Sequence, residues 1–282
     1  MTENGKTIQA GVMGWPVSHS LSPRLHGFWL KEQGIDGTYI ALAVAPEDLE
    51  DSLRSLSERG FAGVNLTLPH KEAAAFIVDT MDSAASRIGA VNTVVVGADG
   101  SLAGGNTDGY GFMENLKSGA PGWTADNSIA VVLGAGGGAR AIIAALLDAG
   151  VKELRLVNRT QSRATSLKDD IGGAITVVSW AERMAALEGA GLLVNTTTLG
   201  MTGEESLEIS LSSLPADAVV TDIVYTPLTT PLLKDAAGRG NPTVDGLGML
   251  LHQARPGFHQ WFGAEPAVTD ALRAHVLGGL ER

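Results

Sequence analysis

Apolar positions along the chain fall into short continuous runs that alternate with amphipathic stretches. Residues 8–13 and 129–133 predict strands, and the second run is apolar throughout, as expected for a strand buried on both faces of a parallel sheet. Leucines at positions 49, 53 and 56 predict a helix with one apolar face, which Gly60 ends. This alternation is typical of an α/β protein, and 282 residues suffice for about two domains.

Turn-forming residues mark where the elements of the first 108 residues begin and end. Ser22 followed by Pro23 predicts a capped helix start, and Gly34 predicts the end of that helix. Asp99-Gly100 predicts the turn of a β-hairpin. The other predicted elements are strands at 38–44, 63–66 and 91–96, helices that open at Pro46 and at Pro69, and a helix over 110–116 that follows a loop at 104–109.

A second pattern begins near Ser128. Its predicted strands lie at 129–133, 154–157, 192–194 and 219–224, and a helix over 139–149 follows the first of them. From Gly246 onwards we predict helices broken by Pro256 and Pro266. We therefore expect one α/β domain over 1–108, a second, doubly wound domain over 109–246, and C-terminal helices over 247–282 that pack back on the first domain.

Charge and composition narrow the classes of partner. The chain carries 20 Lys and Arg against 31 Asp and Glu, so its net charge of −11 disfavours nucleic acid and anionic membrane surfaces. It has no cysteine, which excludes disulfides and thiolate chemistry, and no apolar run of membrane-spanning length. Residues 1–6 are polar and lack a signal-peptide core, so we expect a cytoplasmic protein. The oligomeric state stays open, with a homodimer as one candidate.

Residues 134–139 match the dinucleotide-binding pattern G-x-G-x-x-G/A, with a predicted strand before them and a predicted helix after them. The first glycine of this pattern makes the tight turn, and the second lets the backbone approach a pyrophosphate. Unpaired N–H groups at the start of the helix favour an anion there. The residues expected to bind the cofactor are Gly134, Ala135, Gly136, Gly137 and Gly138.

The end of the following strand selects the nucleotide. NAD enzymes place Asp or Glu here to bind the ribose 2′-hydroxyl, but residues 158–163 read Asn-Arg-Thr-Gln-Ser-Arg and contain no carboxylate. Arg159 can form paired, charge-assisted bonds to a 2′-phosphate, Thr160 can donate a hydroxyl, and Arg163 adds a second cation. The sequence therefore predicts NADP, bound in part by Asn158, Arg159, Thr160 and Arg163.

Three polar segments in the first domain predict a second ligand site. In residues 14–23, Ser20 and Ser22 lie between a strand end and a helix start, where hydroxyls and helix N–H groups can bind a carboxylate. Residues 63–71 end an apolar strand in a polar stretch that includes Lys71. The third segment combines Asn92-Thr93 with residues 106–108.

These segments, in this order, resemble the signatures of the shikimate dehydrogenase family. The resemblance covers nearly the whole chain, from Gly14 to Ala254. It implies an N-terminal α/β substrate domain, a Rossmann-type doubly wound NADP-binding domain, and an active site in the cleft between them. One departure is Gly27, where the family usually has Asn, and it leaves the packing of the first helix open. The later matching segments are the glycine loop, Asn158-Arg159-Thr160, Asn195-Thr196-Thr197 with Gly200-Met201, Asp222-Ile223-Val224-Tyr225 with Pro227, and residues 246–254.

The resemblance also implies roles for individual residues. Lys71 matches the catalytic lysine of the family and Asp108 its aspartate partner. Ile223 and Gly246 match positions near the nicotinamide end of the cofactor. The positions that match shikimate ligands are Ser20, Ser22, Thr67, Asn92, Asp108, Tyr225 and Gln253. The implied reaction is the reversible reduction of 3-dehydroshikimate to shikimate by NADPH, in the biosynthesis of chorismate and the aromatic amino acids.

The residues agree with this chemistry. Reduction of a ketone builds negative charge on oxygen, and Lys71 can supply both a proton and a positive charge. Two alternatives stay open: a quinate/shikimate dehydrogenase that uses NAD, and a non-catalytic NADP-binding regulator on the same fold. Arg159 argues against NAD, the paired serines argue against quinate, and the presence of Lys71 with Asp108 argues against a regulator. The histidines lack ligand spacing, so we expect no metal, and interpret His19 as loop structure and His252 as helix packing.

Overall fold

The structure is a computed structural model that describes residues 7–126 and 128–279. The described residues form two compact units by their internal contacts. The first contains the residues up to Thr107 and from Gln253 onwards, and the second contains Asp108–His252. The polar segment 1–6, from which a cytoplasmic location was expected, lies outside the described residues. Within the described ranges, no helix is long and apolar enough to cross a membrane.

Each unit contains one six-stranded sheet. The strands of the first unit are β1 (Ile8–Gly14), β2 (Gly37–Ala43), β3 (Phe61–Leu66), β4 (Thr80–Met81), β5 (Thr93–Val96) and β6 (Leu102–Gly105). The strands of the second unit are β7 (Ile129–Leu133), β8 (Glu153–Asn158), β9 (Ile175–Ser179), β10 (Leu192–Asn195), β11 (Val219–Asp222) and β12 (Thr243–Val244).

The α-helices, in chain order, are α1 (Ser22–Glu32), α2 (Leu49–Arg54), α3 (Lys71–Ala74), α4 (Ser83–Ile88), α5 (Asp108–Gly119), α6 (Gly137–Asp148), α7 (Gln161–Ile171), α8 (Pro231–Gly238), α9 (Leu247–Phe262) and α10 (Asp270–Leu277). A 3-10 turn at Pro46–Asp48 leads into α2. The α/β class predicted from the alternating pattern is therefore confirmed.

In the first unit the sheet order is β2-β1-β3-β5-β6-β4. Strands β1, β2 and β3 run parallel, whereas β5 runs antiparallel to both β3 and β6, as the Asp99-Gly100 turn predicts. The three leucines predicted to form one apolar face are buried in a core with strand residues of β3 and β5, but only Leu49 and Leu53 belong to α2. The prediction that this helix extends to Gly60 is wrong, because α2 ends at Arg54 and Leu56 lies in the turns that follow. Gly27 is exposed on α1 with open space around an added Cβ, so the departure from the family's Asn leaves the packing of this helix unaffected.

The second unit contains a fully parallel sheet in the order β12-β11-β10-β7-β8-β9. Renumbered within the unit, this is the order 3-2-1-4-5-6 of the doubly wound dinucleotide-binding fold. In this fold the chain reverses direction across the sheet between β7 and β10, and ligands bind beyond the carboxyl ends of the strands at that point. The predicted Rossmann-type architecture is thus confirmed.

The prediction that Pro256 breaks the C-terminal helices is wrong. Pro256 lies inside α9, whereas Pro266 does separate α9 from α10. A proline costs a helix one N–H donor and crowds the preceding turn. The turns that follow Pro256 are nevertheless anchored, since Phe258 is fully buried and the Trp261 indole N–H donates to the Val94 carbonyl at 3.1 Å.

Three helix starts also differ from the sequence prediction. Helix α1 begins at Ser22 and has no side-chain cap, and the Ser22 N–H donates instead to Ser20 Oγ at 3.3 Å. Helix α3 begins at Lys71 and not at Pro69, and helix α5 begins at Asp108, within the segment 104–109 that was predicted to be a loop. An aspartate in the first turn is favoured by the helix dipole, so the polar character of residues 104–109 concealed the helix start.

Candidate active site

The loops after β1 and β3 lie side by side in the first unit, because these two strands are parallel neighbours. The Thr67 N–H donates to the Met13 carbonyl at 2.9 Å, and the Trp15 N–H donates to the Leu68 carbonyl at 3.1 Å. Gly14 makes this approach possible, since an added Cβ would lie 2.4 Å from Thr67 Cγ2. The serine loop and the segment that leads to Lys71 are therefore held together.

Lys71 is fixed at its backbone by neighbouring residues. Its carbonyl accepts from the Val91 N–H at 2.8 Å. The preceding residue, His70, is buried and its Nε2 lies 2.9 Å from the Val44 carbonyl, which can only accept, so Nε2 carries the proton. Burial lowers the pKa of His70, and the bond to Val44 opposes this only in part. His70 thus acts as a neutral anchor for the start of α3.

Asn92 is the centre of a polar cluster in the first unit. Its Oδ1 accepts from the Thr107 backbone N–H at 2.9 Å and from the Thr93 hydroxyl at 2.9 Å. Its Nδ2 lies 3.1 Å from Thr107 Oγ1 and 3.5 Å from Gln253 Oε1. The structure therefore brings together Asn92 and Gln253, two predicted ligand positions 161 residues apart.

Aromatic side chains pack beneath this cluster. The His26 ring stacks on the Tyr39 ring with centroids 3.8 Å apart, and both residues are buried. Burial lowers the pKa of His26 to about 3, and the nearby Asn65 side chain opposes this shift. Neither ring nitrogen makes a hydrogen bond of good geometry with a described residue, so His26 is a neutral packing residue.

In the second unit the glycine loop has the geometry of an anion site. Gly134 has φ +108°, a conformation that favours glycine, and an added Cβ would lie 2.6 Å from Thr196 Oγ1. Gly136 and Gly137 face open space, since an added Cβ would meet nothing within 4 Å. Helix α6 begins at Gly137 without a side-chain cap, so its first N–H groups can bind an anion.

A cavity of about 220 Å³ adjoins this loop. Its described lining residues include Gly134, Ala135, Gly136, Asn158, Arg159, Arg163, Trp180 and Thr196–Leu199. Arg159 and Arg163 are exposed, and neither forms an ion pair with a described residue. Thr160 turns the chain between them, because its carbonyl accepts from Asn158 Nδ2 at 2.8 Å and from the Arg163 N–H at 3.1 Å. Among its described lining residues, the cavity thus offers two available cations and no acidic side chain.

A buried carboxylate supports the far side of the glycine loop. Asp222 accepts hydrogen bonds from Asn195 Nδ2 at 3.0 Å, from the Val224 N–H at 3.0 Å and from the Thr230 hydroxyl at 2.8 Å. Burial raises the pKa of Asp222, and these three bonds oppose the increase. Asn195 Oδ1 in turn accepts from the N–H and the hydroxyl of Thr197, which lines the cavity.

Ile223 lies between two of the predicted cofactor glycines. An added Cβ on Gly138 would lie 3.2 Å from Ile223 Cδ1, and one on Gly246 would lie 2.4 Å from the Ile223 carbonyl oxygen. Gly246 is therefore required for close backbone packing. Tyr225, two residues further along, is partly buried, and burial raises the pKa of its phenol.

The structure brings the predicted site residues together in two groups. In the first unit, Gln253 of α9 meets Asn92, and the segments that follow β1 and β3 hold the other predicted residues, Ser20, Ser22, Thr67 and Lys71. In the second unit, the glycine loop and the Arg159 turn line one cavity, while Asp108 begins α5 and is buried. His19 lies exposed in a loop and His252 lies in α9, as interpreted from the sequence.

Sequence reasoning missed several residues that support these sites. A single tryptophan after β9 gave no signal that Trp180 lines the cavity. The roles of Tyr39 and Asp222 depend on strand pairing, which a pattern of residue types does not reveal. Thr93 belonged to a segment already singled out as polar, but its bonds to Asn65 and Asn92 were not predictable from it. Asn65 stood in a segment already singled out as polar, but its hydrogen-bond partners were not predictable from it. Within the described ranges, no cluster of three or more His, Cys, Asp or Glu side chains could hold a metal ion.

The sheet order, the glycine loop at the switch point and the cationic cavity define the second unit as a Rossmann-type dinucleotide-binding domain. Comparison with sequence profiles of known families gives a match in each of the two units. The profile described as "Shikimate dehydrogenase substrate binding domain" matches residues 12–94, and the profile described as "Shikimate / quinate 5-dehydrogenase" matches residues 120–224.

Individual proteins match over nearly the full length. The chain is 62% identical to the shikimate dehydrogenase (NADP(+)) of Paramagnetospirillum magneticum, over 97% of this chain and 99% of that protein. Its structure resembles that of shikimate 5-dehydrogenase from Thermus thermophilus in complex with NADP(H) and shikimate, with a TM-score of 0.84 and 37% identity. The match covers 98% of this chain and 99% of the Thermus chain. The structure of quinate dehydrogenase from Corynebacterium glutamicum in complex with NAD is also similar, with a TM-score of 0.90 and 33% identity. This match covers 96% of this chain and 99% of the Corynebacterium chain. The chain belongs to the shikimate dehydrogenase family.

Proposed function

We propose that this protein catalyses the reversible, NADPH-dependent reduction of 3-dehydroshikimate to shikimate, a step in the biosynthesis of chorismate and the aromatic amino acids. The observation that carries the proposal is the placement of Lys71. Its carbonyl accepts from the N–H of Val91, directly before Asn92, and the segment that leads from β3 to Lys71 also carries Thr67. The backbone of a lysine is thereby held next to the segment that carries Asn92, and a lysine with hydrogen-bonding side chains suits a polyhydroxylated substrate with a reducible ketone.

The second unit fits NADP as its cofactor. Bound NADPH supplies the hydride for the reaction. The N–H groups at the start of α6 would bind the pyrophosphate, since Gly136 and Gly137 leave open space for it. Arg159 and Arg163 would bind the 2′-phosphate, with Asn158 and Thr160 shaping the turn that holds them. Ile223 and Gly246 are assigned to the nicotinamide side, because β10 and β11 lie across the switch point from β8.

The substrate roles are assigned by the chemistry of each side chain. Lys71 donates the proton to the reduced oxygen and stabilises the developing charge, and Asp108 accepts a hydrogen bond from a substrate hydroxyl. Ser20 and Ser22 bind the carboxylate at the start of α1, a helix of 11 residues. The remaining proposed ligands, which hold the substrate hydroxyls, are Thr67, Asn92, Tyr225 and Gln253.

We further propose the domain roles that follow from these assignments. The substrate domain corresponds to the first unit and the NADP domain to the second. A cytoplasmic location and a homodimer also stay predictions. Light scattering separates a dimer from a monomer, because their masses differ twofold.

The proposal is tested by following nicotinamide absorbance with four combinations of shikimate or quinate and NADP or NAD. Oxidation of shikimate with NADP should be the fastest of the four. Fastest turnover of quinate with NAD would favour a quinate dehydrogenase instead. Tight NADP binding without turnover of either acid would favour the non-catalytic regulator.

A further inference from the structure

We propose that Tyr39, Asn65 and Thr93 form a buried hydrogen-bond relay that orients the Asn92 amide for substrate binding. The inference rests on the proposed function, in which Asn92 holds a hydroxyl of the substrate. All four residues belong to the first unit, and the relay runs from β2 across β1 to β3 and then to the start of β5. Tyr39, Asn65 and Thr93 are positioning residues, because they act on the ligand through Asn92.

The first step of the relay has a fixed direction. Asn65 Nδ2 lies 3.1 Å from the Asn92 backbone carbonyl, which can only accept, so this end of the amide is the NH₂ group. The other end, Oδ1, must accept, and the Tyr39 hydroxyl donates to it at 2.6 Å. Without the tyrosine hydroxyl, the buried Asn65 oxygen loses this donor.

In the second step, the donor direction set at Asn65 determines which end of the Asn92 amide accepts a hydrogen bond from Thr93. Asn65 Nδ2 also donates to Thr93 Oγ1 at 3.1 Å, so the threonine oxygen accepts there and can donate its own proton to Asn92 Oδ1 at 2.9 Å. The strand register supports this geometry, because Asn65 lies directly opposite Thr93 in the β3–β5 ladder. The oxygen end of the Asn92 amide is thus held towards the protein, by the Thr93 hydroxyl and the Thr107 N–H together.

Orientation matters because the two ends of an amide have opposite hydrogen-bonding character. With its oxygen held in this way, Asn92 presents its NH₂ group towards Thr107 Oγ1 and Gln253 Oε1. A donor on the side of Gln253 suits the oxygen of a hydroxyl or carbonyl group on a substrate ring. A reversed amide would present a second acceptor beside the Gln253 oxygen and would weaken such a bond.

The relay is well shielded from water, so each of its bonds has a large effect on the orientation. Tyr39 is 7% exposed, Asn65 5%, Thr93 2% and Asn92 1%. The stacked His26 ring, at 3.8 Å, restricts the tyrosine ring. Burial raises the pKa of Tyr39 well above its ordinary value, and a hydrogen bond with the Ser22 side chain opposes this only in part, so the phenol stays a donor throughout the usual pH range. Buried networks of this kind are rigid only while every member is satisfied.

The consequence of removing the first donor follows from this geometry. Tyr39→Phe keeps the stacked ring but removes the hydroxyl. The buried Asn65 oxygen is then left without its donor, so the Asn65 side chain is held less firmly, and its bond to Thr93 Oγ1 and the bond from Thr93 to Asn92 Oδ1 both weaken. We expect the Michaelis constant for shikimate to rise about tenfold, while kcat and the dissociation constant for NADP stay unchanged.

The relay is tested by a double-mutant cycle of Tyr39→Phe and Thr93→Val, with shikimate oxidation measured at saturating NADP. Each single variant should raise the Michaelis constant about tenfold, and the double variant should raise it no further than either single one, because both break the same chain of bonds. Thr93→Ser retains the hydroxyl and should restore a value near that of the parent protein. Thr38→Val, which removes an exposed hydroxyl from the neighbouring position of β2, is the matched control and should have no effect.

Multiplied effects in the double variant, or an unchanged Michaelis constant in folded single variants, would overturn the relay. If Tyr39→Phe does not fold, the contrast between Thr93→Val and Thr93→Ser decides, and equal values for the two would count against it. Failure of the parent protein to oxidise shikimate is a different result, because it contradicts the proposed function and not the relay.

Discussion

Replacement of Arg159 by alanine tests the assignment of the cofactor. Arg159 lines the cavity beside the glycine loop and forms no ion pair with a described residue, so its guanidinium is available for a 2′-phosphate. A hydrogen bond to a charged group contributes about 1.5–3 kcal/mol, which corresponds to about ten- to a hundredfold in affinity. Because Arg159 is exposed and Arg163 remains in the same cavity, we expect the lower half of this range for NADPH.

The assay is the dissociation constant of NADPH and of NADH for the parent and the variant, by calorimetry or nucleotide fluorescence. NADH lacks the 2′-phosphate, so its constant should change little. Lys152→Ala is the matched control, since it removes one exposed positive charge at the opposite end of β8 and should leave both constants unchanged. Equal weakening of NADPH and NADH by Arg159→Ala would refute the assignment of Arg159 to the 2′-phosphate.

Four further variants test other parts of the account. Lys71→Met should lower turnover by about a hundredfold or more while NADP binding persists, and near-parental turnover would exclude Lys71 as proton donor. Ser20→Ala should raise the Michaelis constant for shikimate and leave the NADP dissociation constant unchanged; unchanged kinetics would make Ser20 structural. Burial lowers the pKa of His26 in the folded protein to about 3. As the pH falls below 6.5, the unfolded state therefore binds a proton that the folded state does not. The contribution of the neutral His26 to the free energy of unfolding is complete above pH 6.5 and is lost as the pH falls towards 3. When the pH is lowered from about 7.5 to 5, the free energy of unfolding measured in urea should fall by about 2 kcal/mol more for the parent protein than for His26→Phe. An equal decrease for the two proteins would contradict a neutral His26. Asp222→Ala should lower the free energy of unfolding by about 3 kcal/mol, because it leaves three buried donors unsatisfied. Asp217 is exposed, so the control Asp217→Ala should change this free energy by less than about 0.5 kcal/mol.

Local signals in the sequence were sufficient to predict the α/β class and most strands of both sheets, but not β4, β9 or β12. The run 129–133, the glycine loop and the carboxylate-free turn at 158–163 lie within 35 residues and act through neighbouring groups, so pattern and spacing describe them well. The Pro256 prediction failed because the local cost of proline in a helix was outweighed by tertiary contacts of Phe258 and Trp261.

The ligand positions in the first unit were recognised from a family resemblance, but their mutual geometry was not predictable. Asn92 and Gln253 meet across 161 residues, and Asn65 reaches Thr93 through antiparallel strand pairing. Tyr39 lies in β2, where alternating side chains gave no sign that its hydroxyl points to a buried amide. Side-chain networks of this kind depend on register and burial, which only the folded chain determines.

The central claim is that the chain reduces 3-dehydroshikimate with NADPH. The most direct measurement is to incubate the purified protein with both compounds, follow the loss of nicotinamide absorbance, and identify the product by NMR. We predict that NADPH is consumed in equal amount to the shikimate formed, and that NADH in its place reacts far more slowly. Absence of shikimate from the products, or an equal rate with NADH, would contradict the account.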